Sequence, residues 1–346
     1  MTISDSVTTT KTKLSFLELV YPAMSNQEAV WLEKDPEVKE RLRQSDFYMI
    51  GGRAEAKFRG VVIDDDAQVV RFDFAIGDDF RDTVEIHLLN LPAVAAAVDT
   101  EEFHSFRCDV GEKIVRVWAC GSGDRDDKVL EWFSTEKLIL DRSRGRPGIE
   151  RFDRYRDAAT YDLLYVGIAK VGDSFDRLIS NGHKARMQIL GNEQQRYPGA
   201  RVTDEVYLFL FSVQPLVLTS FELNHDFTDE DFTGEIDQKR IVADAEKAFV
   251  SLLKPDYNVV KFAGYPKGAD GLYGFEFVRY GYAINEALSF NTAHGRIRGA
   301  RDVATGFVTN DADYIFVEGD SVKLHVSGVD FPAKPIVIPC SDQLPP

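Results

Sequence analysis

The chain has 346 residues, 44% of them hydrophobic, with a formal net charge of −16 and three cysteines. That length and apolar content fit two folded domains and exclude a disordered, collagenous or coiled-coil chain. Cys108, Cys120 and Cys340 are odd in number and contain no C-x-x-C pair, so neither a disulfide framework nor a structural zinc site is expected, and a reducing cytoplasm is the expected location. No run approaches the roughly 18 unbroken apolar residues of a membrane span, so no membrane partner is expected.

Met1–Thr12, rich in Ser and Thr, reads as a loose tail rather than a leader. Leu14–Arg43 reads as helical. From Phe47 to about Leu140 short strands alternate with turns: 58–63 and 69–76 flank Asp64-Asp65-Asp66 as a hairpin, 84–89, 114–118 and 129–133 add strands, and 91–98 is a short helix. This half is expected to be an antiparallel sheet domain spanning 1–145. The polar run from Asp141 to Gly148 carries three arginines, two glycines and a proline and reads as the domain boundary. Beyond it, Tyr161–Ala169 is a nearly all-apolar strand of the buried type, and Ser174–Asn181 a helix capped by Asp173 or Ser174. Val206–Leu218 is a strand, Asn224–Asp237 an acidic loop and Gln238–Leu253 a helix. Strands such as 274–282 come next, and 314–317 with 323–326 form a last hairpin within a closing segment, 306–346. The expected fold class is α+β.

Charge is unevenly spread. Windows 51–100 (five basic, ten acidic) and 201–250 (four, eleven) are acidic, whereas 151–200 (eight, six) and 251–300 (six, four) each carry +2. The second pair leaves room for a local basic face on an acidic protein, which a phosphate-bearing partner needs.

Glu246 stands beside the stripe Ile241, Val242, Ala245, Phe249, Leu252 and Leu253, with apolar neighbours at i±3 and i±4. An ionised carboxylate there is either a rim glutamate reaching solvent or an arginine, or the ligand of a divalent ion, for which a hard oxygen suits Mg²⁺. Arg177, on the helix after Tyr165-Val166-Gly167, is either a surface residue pairing with Asp173 or Asp176 or a bidentate phosphate fork. His183 could act as general base or bridge a phosphate. Tyr165 ends the buried strand, and Tyr161, four residues earlier, is expected on the same face.

Together these residues resemble the GIY-YIG endonuclease superfamily. Tyr165-Val166-Gly167 is similar to the family's second motif, Arg177 lies where its catalytic arginine belongs, and Glu246 followed by Lys254-Pro255-Asp256-Tyr257-Asn258 is similar to its metal-binding glutamate and the exit from that helix. The first motif is not matched. Gly148-Ile149-Glu150 lacks the tyrosine, Tyr155 lies near the expected distance in a polar segment, and the first strand is expected from Lys137–Leu140 or replaced. The resemblance implies a small α/β nuclease domain at 146–305 holding Mg²⁺ (or Mn²⁺) on Glu246, with Tyr165, Arg177, His183 and Glu246 catalytic and Arg186, Lys254 and Asn258 meeting nucleic acid, DNA first, in a prokaryotic restriction or defence setting. The N-terminal sheet would choose the target or meet a protein partner. The alternative is a catalytically degenerate domain acting as a protein-binding or regulatory module, which overall acidity favours. No P-loop, G-x-S-x-G or H-E-x-x-H motif is present.

Overall fold

The computed structural model describes residues 10–99, 105–121, 127–180, 182–221, 237–275 and 277–332. The expected tail (apart from Thr10–Thr12), most of the acidic loop and Cys340 lie outside them.

The chain is a mixed α+β protein organised by one large sheet. Its strands run in the order Gly295–Arg298, Ser289–Thr292, Thr160–Ile168, Phe47–Gly52, Val206–Ser220, Thr10–Leu19, Phe277–Ile284, Tyr314–Glu318 and Ser321–His325, with Met24–Ser25 pairing beside Val206–Ser220. At its centre, every residue of Phe47–Gly52 and of 206–211 is buried, the continuous apolar run that a strand covered on both faces demands. Helix Gln238–Leu253 packs Val242, Ala245 and Phe249 into the main core. A smaller core on the other side gathers Tyr48, Ile50, Leu164, Phe175, Leu178 and Ile189.

Two antiparallel meanders flank this sheet. One has the order Ile149–Arg151, Phe80–His87, Val69–Ile76, Ala56–Asp64, and the other joins Ser105–Val110, Ile114–Cys120 and Lys128–Ser134. Both arise from residues 53–159, which leave the central sheet after Phe47–Gly52 and return at Thr160–Ile168 as its antiparallel neighbour. The boundary expected at 145/146 therefore does not separate two sheets, because Thr10–Leu19 and Phe47–Gly52 sit among strands from the second half. The arginine-rich run is pinned rather than a linker: Arg144 pairs with buried Glu286 and Arg146 with Glu131. The final hairpin, Tyr314–Glu318 with Ser321–His325, continues the same sheet beside Phe277–Ile284.

Thr10–Leu19 is a strand, where a loose tail up to Thr12 and a helix from Leu14 are expected. Neighbours on both sides, antiparallel Val206–Ser220 and parallel Phe277–Ile284, satisfy its backbone in the sheet, so tertiary pairing overrides local propensity. Helices Asn26–Leu32 and Pro36–Leu42 occupy the rest of the expected helical stretch, the first closed by a Ser25/Glu28 capping box, the second by Asp35. Lys137–Leu140, expected as a strand, lies within helix Thr135–Ser143. Gly148-Ile149-Glu150 runs into a strand paired with Phe80–His87, and Tyr155 opens a four-residue helix.

Candidate active site

Strand Thr160–Ile168 carries a bulge. Leu163 faces Gly51 and Tyr165 faces Ile50, so Leu164 is the extra residue. Because side chains alternate along a strand, one inserted residue sends the residues after it to the other face. Tyr161 goes to the main core and Tyr165 to the smaller one, so they do not share a face as the regular alternation predicts.

On the Tyr165 side the partner strand delivers a residue that sequence reading missed. Tyr48 stands opposite Gly167, fully buried, with its ring stacked on Tyr165 at 6.1 Å. A Cβ on Gly167 would lie 2.7 Å from Tyr48 Cζ and Oη, which is why that place in the Tyr-Val-Gly triplet holds glycine. The only local signal of Tyr48 is a phenol within an otherwise apolar strand.

Arg177 sits on a single wide turn, Asp176–Ser180, begun by Asp173, whose Oδ1 accepts from Asp176 N at 2.8 Å. Its Nε donates to Tyr48 Oη at 3.1 Å. Asp173 and Asp176 pair instead with Arg43, at 3.5 and 3.3 Å, so Arg177 has no carboxylate partner among the described residues, and it is exposed.

His183 caps helix Lys184–Asn192: its Nδ1 accepts from Arg186 N at 3.3 Å. Nδ1 is thereby the acceptor nitrogen, and the neutral ring carries its proton on Nε2, 3.0 Å from Tyr48 Oη. Burial, then the charges of Arg177 and Arg186, push its pKa down to about 4. His183 is a neutral donor to Tyr48 and has no nitrogen left to serve as the expected general base.

Glu246 is half-buried at the edge of its helix's apolar face. It has neither hydrogen bond nor ion pair among the described residues. Burial pushes its pKa up to about 7, against the pull of Lys170, Arg177 and Lys247. The same carboxylate, after burial, pushes the Tyr165 phenol up, while Arg177 pulls it down. Tyr48, Tyr165, Arg177, His183 and Glu246 thus form one coupled group.

The remaining expected contacts divide. Arg186 is buried, with its guanidinium on Asn26 Oδ1 at 2.5 Å and the Leu178 carbonyl at 2.8 Å. Asn258 is also buried, and its amide pairs both ways with the backbone of Val166, accepting at 2.9 Å and donating at 2.8 Å. Beside it Tyr257 N donates to the Leu164 carbonyl, so the exit from the helix closes the edge of the Tyr165 strand. Both side chains hold the site together and are turned away from any ligand. Lys254, exposed, ends the helix in the left-handed conformation that its φ of 47° records. A second carboxylate on the helix, Asp244, is fully buried and satisfied by Tyr265, Tyr282 and Leu272 N at 2.6–2.7 Å. Among the described residues no group of three or more His, Cys, Asp or Glu could hold a metal, and no helix is long and apolar enough to cross a membrane. Cys108 and Cys120 are free thiols.

Comparison with family models, curated proteins and solved structures gave no match to this chain.

Proposed function

We propose that the chain is a metal-dependent endonuclease that hydrolyses phosphodiester bonds in nucleic acid, with DNA as the first substrate to test. The observation that carries this reading is the convergence on Tyr48 of an arginine without a carboxylate partner and a neutral histidine, in the field of a glutamate that also lacks a partner.

Each residue has a task. The guanidinium of Arg177 matches the paired oxygens of a phosphate. Tyr48 Oη, fully buried, accepts N–H from Arg177 and His183, and its own hydroxyl proton is turned to the Tyr165 phenol. Both donors favour negative charge on that oxygen, opposing the burial that raises its pKa. Tyr48 thereby holds Arg177 in position against the phosphate, while a water from solvent attacks: the new O–P bond forms, the P–O bond to the leaving strand breaks, and the water's proton passes to solvent. Tyr165 stacks against Tyr48 and fixes its ring.

Glu246 fits a divalent ion of the Mg²⁺ type, which binds through one or two carboxylates plus substrate phosphates and keeps several waters. A half-buried carboxylate with no internal partner is a ligand set of that kind. When bound, such an ion neutralises charge developing on the phosphate oxygens.

Incubating the full chain with Mg²⁺ or Mn²⁺ and single- or double-stranded DNA and RNA, beside Glu246→Ala, tests the reading. Metal-dependent strand scission abolished by Glu246→Ala is expected. Scission untouched by that substitution would remove the assignment.

A further inference from the structure

Next to the site lies a cleft of about 280 Å³ to which the hydrolytic mechanism gives no role. One wall is Ile168 to Lys170, the continuation of the strand that carries Tyr165 and Gly167, and the other is the start of helix Gln238–Leu253, including Lys239 and Val242. Val242 precedes Glu246 by four residues, one helical turn. Since helical side chains lean toward the N-terminus, Glu246 inclines over that turn, toward the cleft. Lys170 exerts the largest of the charge effects on Glu246, which places cleft and carboxylate in one electrostatic field.

The polar groups of the cleft are unevenly used. Lys170 and Lys239 are exposed and have no ion pair among the described residues. Their acidic neighbours are engaged: Asp270 pairs with Lys247, and Asp237 caps the helix through Lys239 N at 3.0 Å. Asp46 accepts from Gln238 through Oδ2 at 3.2 Å, and its Oδ1 is buried out of reach of the cleft. Among the described residues the cleft therefore offers two cations without an ion pair and an apolar floor of Ile168 and Val242.

We propose that this cleft is the subsite for the nucleotide adjoining the scissile phosphodiester, with Lys170 and Lys239 holding its phosphate and Ile168 and Val242 receiving the apolar face of its sugar or base. The proposal rests on the hydrolase reading.

The test uses the full chain carrying Glu246→Gln, so that binding is measured without turnover, and a short fluorescent oligonucleotide monitored by anisotropy. Adding Lys170→Ala and Lys239→Ala is expected to weaken binding about tenfold and to lower the slope of log affinity against log salt by about 1–2, one for each phosphate no longer neutralised. Lys128→Ala, at an exposed lysine on a flanking meander, is the control and is expected to match the parent. A methylphosphonate at the flanking linkage is expected to weaken the parent but to add no further loss in the double-lysine variant. Full affinity in the double variant would overturn the subsite while leaving the hydrolase reading intact, provided the wild-type chain still cuts. Weakened binding with the methylphosphonate penalty undiminished would also overturn it, showing only diffuse attraction. A wild-type chain that neither binds nor cuts any nucleic acid would overturn both.

Discussion

Two clusters in this molecule are built from the same residue types, one arginine, one glutamate and two tyrosines, and both hang from strand Thr160–Ile168. In the first, Arg53 lies between the rings of Tyr161 and Tyr207, 4.6 and 4.9 Å from their centroids, and pairs with Glu136, which also accepts from the Tyr161 hydroxyl. All four are buried, and each charge is answered from within. In the second, Arg177 meets only phenols and is exposed, and Glu246 has neither hydrogen bond nor ion pair among the described residues. The first arrangement holds four segments of chain in place. The second leaves its arginine and glutamate without an ion pair among the described residues. Composition does not tell the two apart; closure does.

Substitutions at the two arginines should separate most sharply. Arg53→Ala strands buried Glu136 and is expected to cost about 3–5 kcal/mol in urea unfolding, the penalty for breaking a buried ion pair. Arg177→Ala should leave unfolding within about 0.5 kcal/mol of wild type, as surface changes do, while strand scission falls about 10²–10³-fold, as for loss of one transition-state donor. Equal stability losses at both arginines would erase the distinction.

The tyrosines offer the next test. Tyr48→Phe removes the oxygen on which Arg177 and His183 converge, and cleavage is expected to fall about 10²-fold, as Arg177 loses the group that positions it. Tyr161→Phe withdraws a hydroxyl from buried Glu136 and should cost about 1–3 kcal/mol of stability with cleavage by the folded enzyme unchanged.

Glu246 makes the difference visible through pH. Its folded pKa, about 7, lies above the ordinary glutamate value of 4.5, so between those values the native state holds more protons than the unfolded one and stability falls as pH rises. Glu246→Gln removes that cost and should stabilise the protein at pH 8 by about 1–3 kcal/mol, with little gain at pH 4. Mg²⁺ should raise the melting temperature of the wild type at pH 8 and leave that of Glu246→Gln unchanged. A wild type indifferent to Mg²⁺ would detach the carboxylate from any metal role.

The smallest effect concerns His183, whose pKa near 4 keeps it neutral. The pH profile of cleavage between 5 and 8 should therefore keep its shape in His183→Gln even where the rate declines. A limb near 6.5 that vanished with the substitution would make His183 the base after all.

The sequence by itself determined the parts whose signal is local. The apolar run at 160–168 makes a strand. The stripe through Ile241, Ala245 and Phe249 makes the 238–253 helix, ended by Lys254-Pro255, and Glu246 stands at the edge of that stripe because helical periodicity puts it there. Arg177 was readable for the same reason, being tied to the strand by a few residues. Tertiary structure alone decided that Tyr48 completes the site, because residues 53–159 intervene and strand pairing at that separation leaves no local mark. It also decided that one inserted residue at Leu164 turns Tyr161 inward and Tyr165 toward the site, and that Asn258 spends its amide on Val166, since a bulge and an edge contact depend on where the neighbouring backbone lies.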